Sequence, residues 1–196
     1  HAVREPDGGV WLVDLLDAPG VEAVYADLGD VAGVAVLADY HARDAAVFAD
    51  RHDVPVTVPA GLDRAAEQVD APVRRVTDSL AGFELRRVTP LRAWTETVAY
   101  RERDGTLYVP DVLSSGAAFT VGDERLGLNL LARLSPPREA FADIDPDRVL
   151  LGHGAGVFGD ASAAVDDILT NARRRCPHTL VSTAPRELRA MVDALR

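Results

Sequence analysis

The chain contains no lysine. Its 21 basic residues are all arginine and face 31 aspartates and glutamates, giving a net charge of −10 over 196 residues. So acidic a surface repels phosphate backbones, which argues against a nucleic-acid partner held by phosphate contacts. It also keeps a protein soluble where salt screens charge strongly, and so points to a salt-adapted (halophilic) or high-GC source. Codon bias alone would account for the missing lysine but not for the acid excess. Cys176 is the only cysteine, so no internal disulfide forms and a reducing cytoplasm fits. No apolar run approaches the ~20 residues that a membrane span needs. No signal peptide is visible, although the chain opens on His1 rather than Met. Repeats, low-complexity tracts and a dividing linker are also missing, so residues 1–196 read as one domain. A GxSxG motif is absent as well, which excludes a serine hydrolase of the usual type.

What is present is 47% apolar sequence, enough for a layered core. Gly9–Val13 reads as a strand closed by Asp14, and Val21–Leu28 as a short helix stopped by Gly29. Gly33–Ala38 is an apolar run ending in Asp39-Tyr40-His41-Ala42-Arg43-Asp44. Ala45–Arg51 then looks helical, Val54–Val58 extended and Ala60–Val69 helical. Phe83–Val88 and Thr95–Arg103 alternate as strands do, and Asp104-Gly105 turns the second into Thr106–Val109 as a hairpin. Leu126–Leu134 suggests a helix, and Arg148–Leu151 a strand running into Gly152-His153-Gly154. Asp160 or Ser162 opens an amphipathic helix to about Arg175, Leu180–Ser182 is a weak strand, and Ala184–Leu195 a last helix. Strands, hairpins and interspersed helices in this order mean α/β with a mixed sheet.

Polar groups follow three of these strands: the Asp39–Asp44 cluster, Asp111 and His153. Strand ends on one edge of a sheet converge, so residues far apart in sequence can form one site. Gly154–Gly159 spells GxGxxG, but it opens no βαβ unit, and its glycines are better explained by a tight turn beneath His153. His41 could equally be a core-edge histidine bonded to a carboxylate. Asp39 and Asp44 could be turn and helix-cap residues. His52 and His178 read as surface residues, Trp11 and Trp94 as core packing, and Cys176 has no partner for a nucleophile's role.

The order strand, DYHARD, helix, then the hairpin DGTLYVPD, then LLGHG resembles the metallo-β-lactamase-fold hydrolases over about Val10 to Arg175. The resemblance implies an αββα sandwich with mixed sheets, in a short form with truncated N-terminal strands. It puts Asp111 on the metal-bridging aspartate and His153 on the last histidine ligand. Asp39, His41, Arg43 and Asp44 fall on the four defining positions of HxHxDH, where only His41 is kept, and Arg92 falls near the lost middle histidine. Arginine is donor-only and always charged, so it cannot ligate a metal. Two readings follow. In one, Arg43 and Arg92 replace the metals and neutralise Asp39, Asp44 and Asp111 by bidentate pairing, leaving a catalytically silent binding or structural module without cofactor. In the other, Asp44, Asp111 and His153 hold one zinc, manganese or iron ion, Asp39, His41 and Asp111 being the poorer set, in a hydrolase of an ester, thioester or phosphoester. A small-molecule ligand and a homodimer are compatible with both.

Overall fold

A computed structural model of the chain describes residues 1–182, and the expected helix at Ala184–Leu195 lies outside the described residues. The fold divides into two compact units. The first runs from His1 to Arg86 and includes Thr95–Thr97; the second comprises Arg87–Trp94 and the chain from Val98 onward.

In the first unit, β1 (Ala2–Arg4) pairs antiparallel with β2 (Val10–Val13). After α1 (Val21–Tyr25) and a 3-10 turn at Ala26–Leu28 come β3 (Val31–Ala35), α2 (Ala45–His52), β4 (Val56–Pro59), α3 (Asp63–Gln68) and β5 (Val73–Val76). The strands lie in the order β1-β2-β3-β4-β5, with β2 to β5 parallel neighbours. Parallel pairing requires crossover connections, and α2 and α3 supply two of them. Alternate residues Val10, Leu12, Val34, Val36, Val56 and Val58 face Phe48 and Ala49 of α2 in one core. On β3, Gly33 leaves room for the Trp11 ring; a Cβ there would stand 2.5 Å from it. The apolar run that begins at Gly33 keeps strand pairing only as far as Ala35. Beyond it Val36 still donates to Thr57, and Ala38 bridges Glu96. A short antiparallel hairpin of β6 (Ser79–Leu80) and β7 (Phe83–Val88) follows.

In the second unit a 3-10 turn at Pro90–Arg92 precedes β8 (Glu96–Arg101), whose residues from Val98 on belong to this unit and pair antiparallel with β9 (Thr106–Val109). The turn is at the expected place: Gly105 has φ 57, and a Cβ on it would meet Asp147 Oδ2 at 2.6 Å. β10 (Leu113–Ser114) pairs with β11 (Gly127–Leu128); α4 (Leu130–Leu134), a 3-10 turn at Arg138–Phe141 and β12 (Arg148–Leu151) come next. β12 runs parallel to β9, so this sheet is mixed. The final element is α5 (Ala161–Ser182). Its Ala161, Ala164, Val165, Ile168, Leu169 and Ala172 recur at helical spacing and pack in a second core with Leu107, Val109, Val149 and Leu151.

Two sequence expectations are corrected. The proposed helix at Leu126–Leu134 begins only at Leu130, because the Asn129 side chain caps it by accepting from the Leu131 N–H at 3.1 Å; the preceding Gly127–Leu128 is strand. Leu180–Ser182 is the end of α5 rather than a strand, the helix continuing past Pro177. Among the described residues no helix is long and apolar enough to cross a membrane.

Candidate functional site

In the first unit the site-forming chain leaves β3 and turns through Asp39–Asp44 into α2. His41 is buried there, its Nδ1 lying 3.2 Å from Asp14 Oδ2, which is equally buried. Asp14 closes β2 with φ 49, and its other oxygen accepts from the Leu37 N–H at 2.9 Å. Backbone and carboxylate therefore lock each other, with the carboxylate set close against one edge of the imidazole. An imidazole whose Nδ1 faces a carboxylate has Nε2 as its remaining ligand atom. Asp14 was not among the candidates drawn from the sequence, although it contacts one of them. Its only signal was its position, an aspartate ending the strand next to the one that leads to His41.

Asp39 and Asp44 are occupied elsewhere. Asp39 is buried, and one of its oxygens accepts from the Thr95 N–H at 2.9 Å, while its own N–H donates to the Thr95 carbonyl. Burial raises its carboxyl above the ordinary 3.8, opposed by the Thr95 hydrogen bond and, more weakly, by the Arg64 charge. Asp44 stands at the N-cap position of α2 but makes no side-chain cap bond. Its carboxylate instead accepts from the Asp17 N–H at 2.8 Å and ties down the loop after β2. Arg43 is exposed and donates through Nε to the Tyr40 carbonyl at 3.3 Å. The bidentate pairing expected between Arg43 and these acids is not formed: backbone N–H groups hold them instead.

In the second unit His153 Nε2 lies 2.9 Å from Asp111 Oδ1. The parallel pairing of β9 and β12 brings the two strand ends level, and Gly152 donates to Val109. Gly152 also passes so close to the Pro110 carbonyl that a Cβ would stand 2.3 Å from it, which explains the glycine before His153. The turn carrying His153 is fastened from β10, where Ser114 Oγ donates to the His153 carbonyl at 2.8 Å and Ser115 Oγ to the Ala155 carbonyl at 2.7 Å. A Cβ on Gly154 would meet Ser115 Oγ at 2.5 Å. The GxGxxG run is thus a close-packed turn. Arg92 is exposed, with φ 61, in the turn before β8.

No family model matches the sequence, and no curated protein matches it. Solved structures do. A metallo-β-lactamase from Hirschia baltica superposes with a TM-score of 0.58 at 16% identity, over 87% of this chain and 82% of its own. TTHA1623, crystallised in a di-iron-bound form, gives 0.56 at 19% identity over 83% and 90%. The fold is that of the metallo-β-lactamases. The apo chemotaxis sensor ODP from T. denticola also matches, with a TM-score of 0.53 at 14% identity over 84% and 81%, so both metallo-β-lactamases and a sensor resemble this chain in fold. The fold therefore agrees with the sequence resemblance, while function must be argued from the residues.

Proposed function

We propose that the chain is a metal-dependent hydrolase working with a single divalent ion, to which the first unit offers His41 and the second Asp111 and His153. The observation that supports this most is Asp14 behind His41. A buried carboxylate at the Nδ1 of a histidine is the arrangement that orients a metal-ligating imidazole and raises its basicity. His41 and His153 offer one imidazole each and Asp111 a carboxylate, a nitrogen and oxygen set suited to zinc, manganese or iron. Arg43 and Arg92 do not suit a second ion, having no lone pair to give, and Asp39 has one oxygen taken by the Thr95 N–H. Asp44, a ligand in the sequence-based set, is spent on Asp17. A divalent ion at this site would supply a Lewis acid for a carbonyl or phosphoryl oxygen and lower the pKa of water. The chain's own part is to support each ligand within its unit: Asp14 lies against His41, and Ser114 and Ser115 fasten the turn of His153. The silent, metal-depleted reading depended on guanidiniums neutralising the acids, and Arg43 gives it no support.

The test is elemental analysis and calorimetric titration of metal-stripped protein with zinc, manganese and iron, followed by assays on p-nitrophenyl esters, a thioester and a phosphodiester. One ion per chain is expected, with His41→Ala and His153→Ala each weakening it by about 100-fold at unchanged circular dichroism. Two ions per chain, or no ion that depends on His41, would refute the proposal.

A further inference from the structure

Two arginines meet at Tyr40, the residue before His41. Arg43 reaches its carbonyl through Nε, and the Arg64 guanidinium lies 4.6 Å above its ring centroid. Both arginines and the tyrosine are exposed. Elsewhere Arg51, Arg75, Arg86, Arg101, Arg133 and Arg175 each sit against a carboxylate. Arg43 and Arg64 form no ion pair among the described residues. In a chain of net charge −10, two exposed guanidiniums that both engage Tyr40, only Arg64 sharing its charge with a carboxylate, the buried Asp39, concentrate positive charge at one residue. Stacking on Tyr40 uses only the flat face of Arg64, so the N–H groups along its edge stay available. Arg43 spends one N–H on Tyr40 and keeps its terminal nitrogens, which can fork onto two oxygens at once.

We propose that Arg43 and Arg64 form an oxyanion subsite beside His41, and that the substrate carries an anionic phosphoryl or carboxylate group bound there. This rests on His41 belonging to the reactive centre. Arg43 occupies a position where the resemblance would put a metal ligand, and its positive charge faces outward, where it attracts an external anion. Tyr40 engages both arginines, and the part of its exposed ring not covered by Arg64 offers a flat apolar surface to the part of the substrate next to the anion.

The experiment is calorimetric titration of the full chain, metal-free and zinc-loaded, with inorganic phosphate and separately with acetate at low ionic strength. It compares wild type, Arg43→Gln, Arg64→Gln and the control Arg86→Gln, whose arginine is paired with Glu84. Saturable binding is expected in the metal-free wild type, weakened by about fivefold or more in Arg43→Gln and in Arg64→Gln and unchanged in the control. Tighter phosphate than acetate identifies a phosphoryl group, and the reverse order a carboxylate. Absence of saturable binding, or equal affinity in all four proteins, overturns the subsite. Zinc binding separates the two proposals: a chain that takes zinc but shows no arginine-dependent anion binding loses only the subsite. A chain that binds the anion through these arginines but takes no metal loses only the hydrolase reading.

Discussion

At the scale of single residues, Asp14 and Asp39 show how one kind of side chain takes opposite parts around one histidine, Asp14 in space and Asp39 two residues before it. Asp14 lies 3.2 Å from His41, so Asp14→Asn should weaken metal binding by about 10- to 100-fold, measured by competition with a chelator, without unfolding the chain. Unchanged affinity would show that Asp14 does not orient His41. Asp39 is held by a backbone donor and pays for burial with a raised pKa. A carboxyl that binds its proton more tightly folded than unfolded contributes most below its unfolded value of 3.8. That contribution is lost as pH rises through the folded value. Asp39→Asn keeps an acceptor for Thr95 and removes the charge. Its urea midpoint should therefore exceed that of the wild type near neutral pH, and the two should converge below about pH 4. A lower midpoint at neutral pH would mean that the charge is stabilising there, through Arg64.

Among the elements, the loop between β10 and α4 depends on a buried ion pair. Arg133 is fully buried and donates to both oxygens of Glu124 as well as to the carbonyls of Phe119 and Leu128. Arg175 of α5 adds a bond to Glu124 at 3.4 Å and pairs with Asp167. Arg133→Ala would leave Glu124 buried without its main partner and should cost about 3–5 kcal/mol in denaturant unfolding, whereas Arg133→Met with Glu124→Leu should cost far less. An equal cost for the two variants would show that lost packing, not stranded charge, is responsible. None of this was readable in the sequence, where Glu124 and Arg133 look like ordinary surface charges; their burial depends on contacts set by the tertiary fold. The elements around the site were legible, because each carries a local signal. β12 has the bounds read from its apolar run, α2 differs by one residue, and the Asp104-Gly105 hairpin is in place. α4 was read too long because apolar Leu126 and Leu128 suit strand and helix alike, and only the Asn129 cap decides between them. Of the candidate site, the identities of His41, Asp111 and His153 could be read locally. The occupation of Asp39 and Asp44 by Thr95 and Asp17 could not, since it depends on chain segments that meet only after folding.

For the molecule as a whole, acid excess without lysine implies self-repulsion at low ionic strength. The thermal midpoint, followed by circular dichroism, should rise as potassium chloride is added up to about 1 M, where the screening length falls to about 3 Å. A midpoint that falls over that range would show that the ion pairs of the fold outweigh its surplus charge. Salt should at the same time loosen the anion held by Arg43 and Arg64, so stability and substrate affinity are set against each other in one buffer series. The grip of Asp44 on Asp17 carries a consequence for redesign. Introducing a histidine at 44 as a further metal ligand would release the segment that the aspartate now anchors. A second ion could be added along that line only if another group first took over the mooring of that loop.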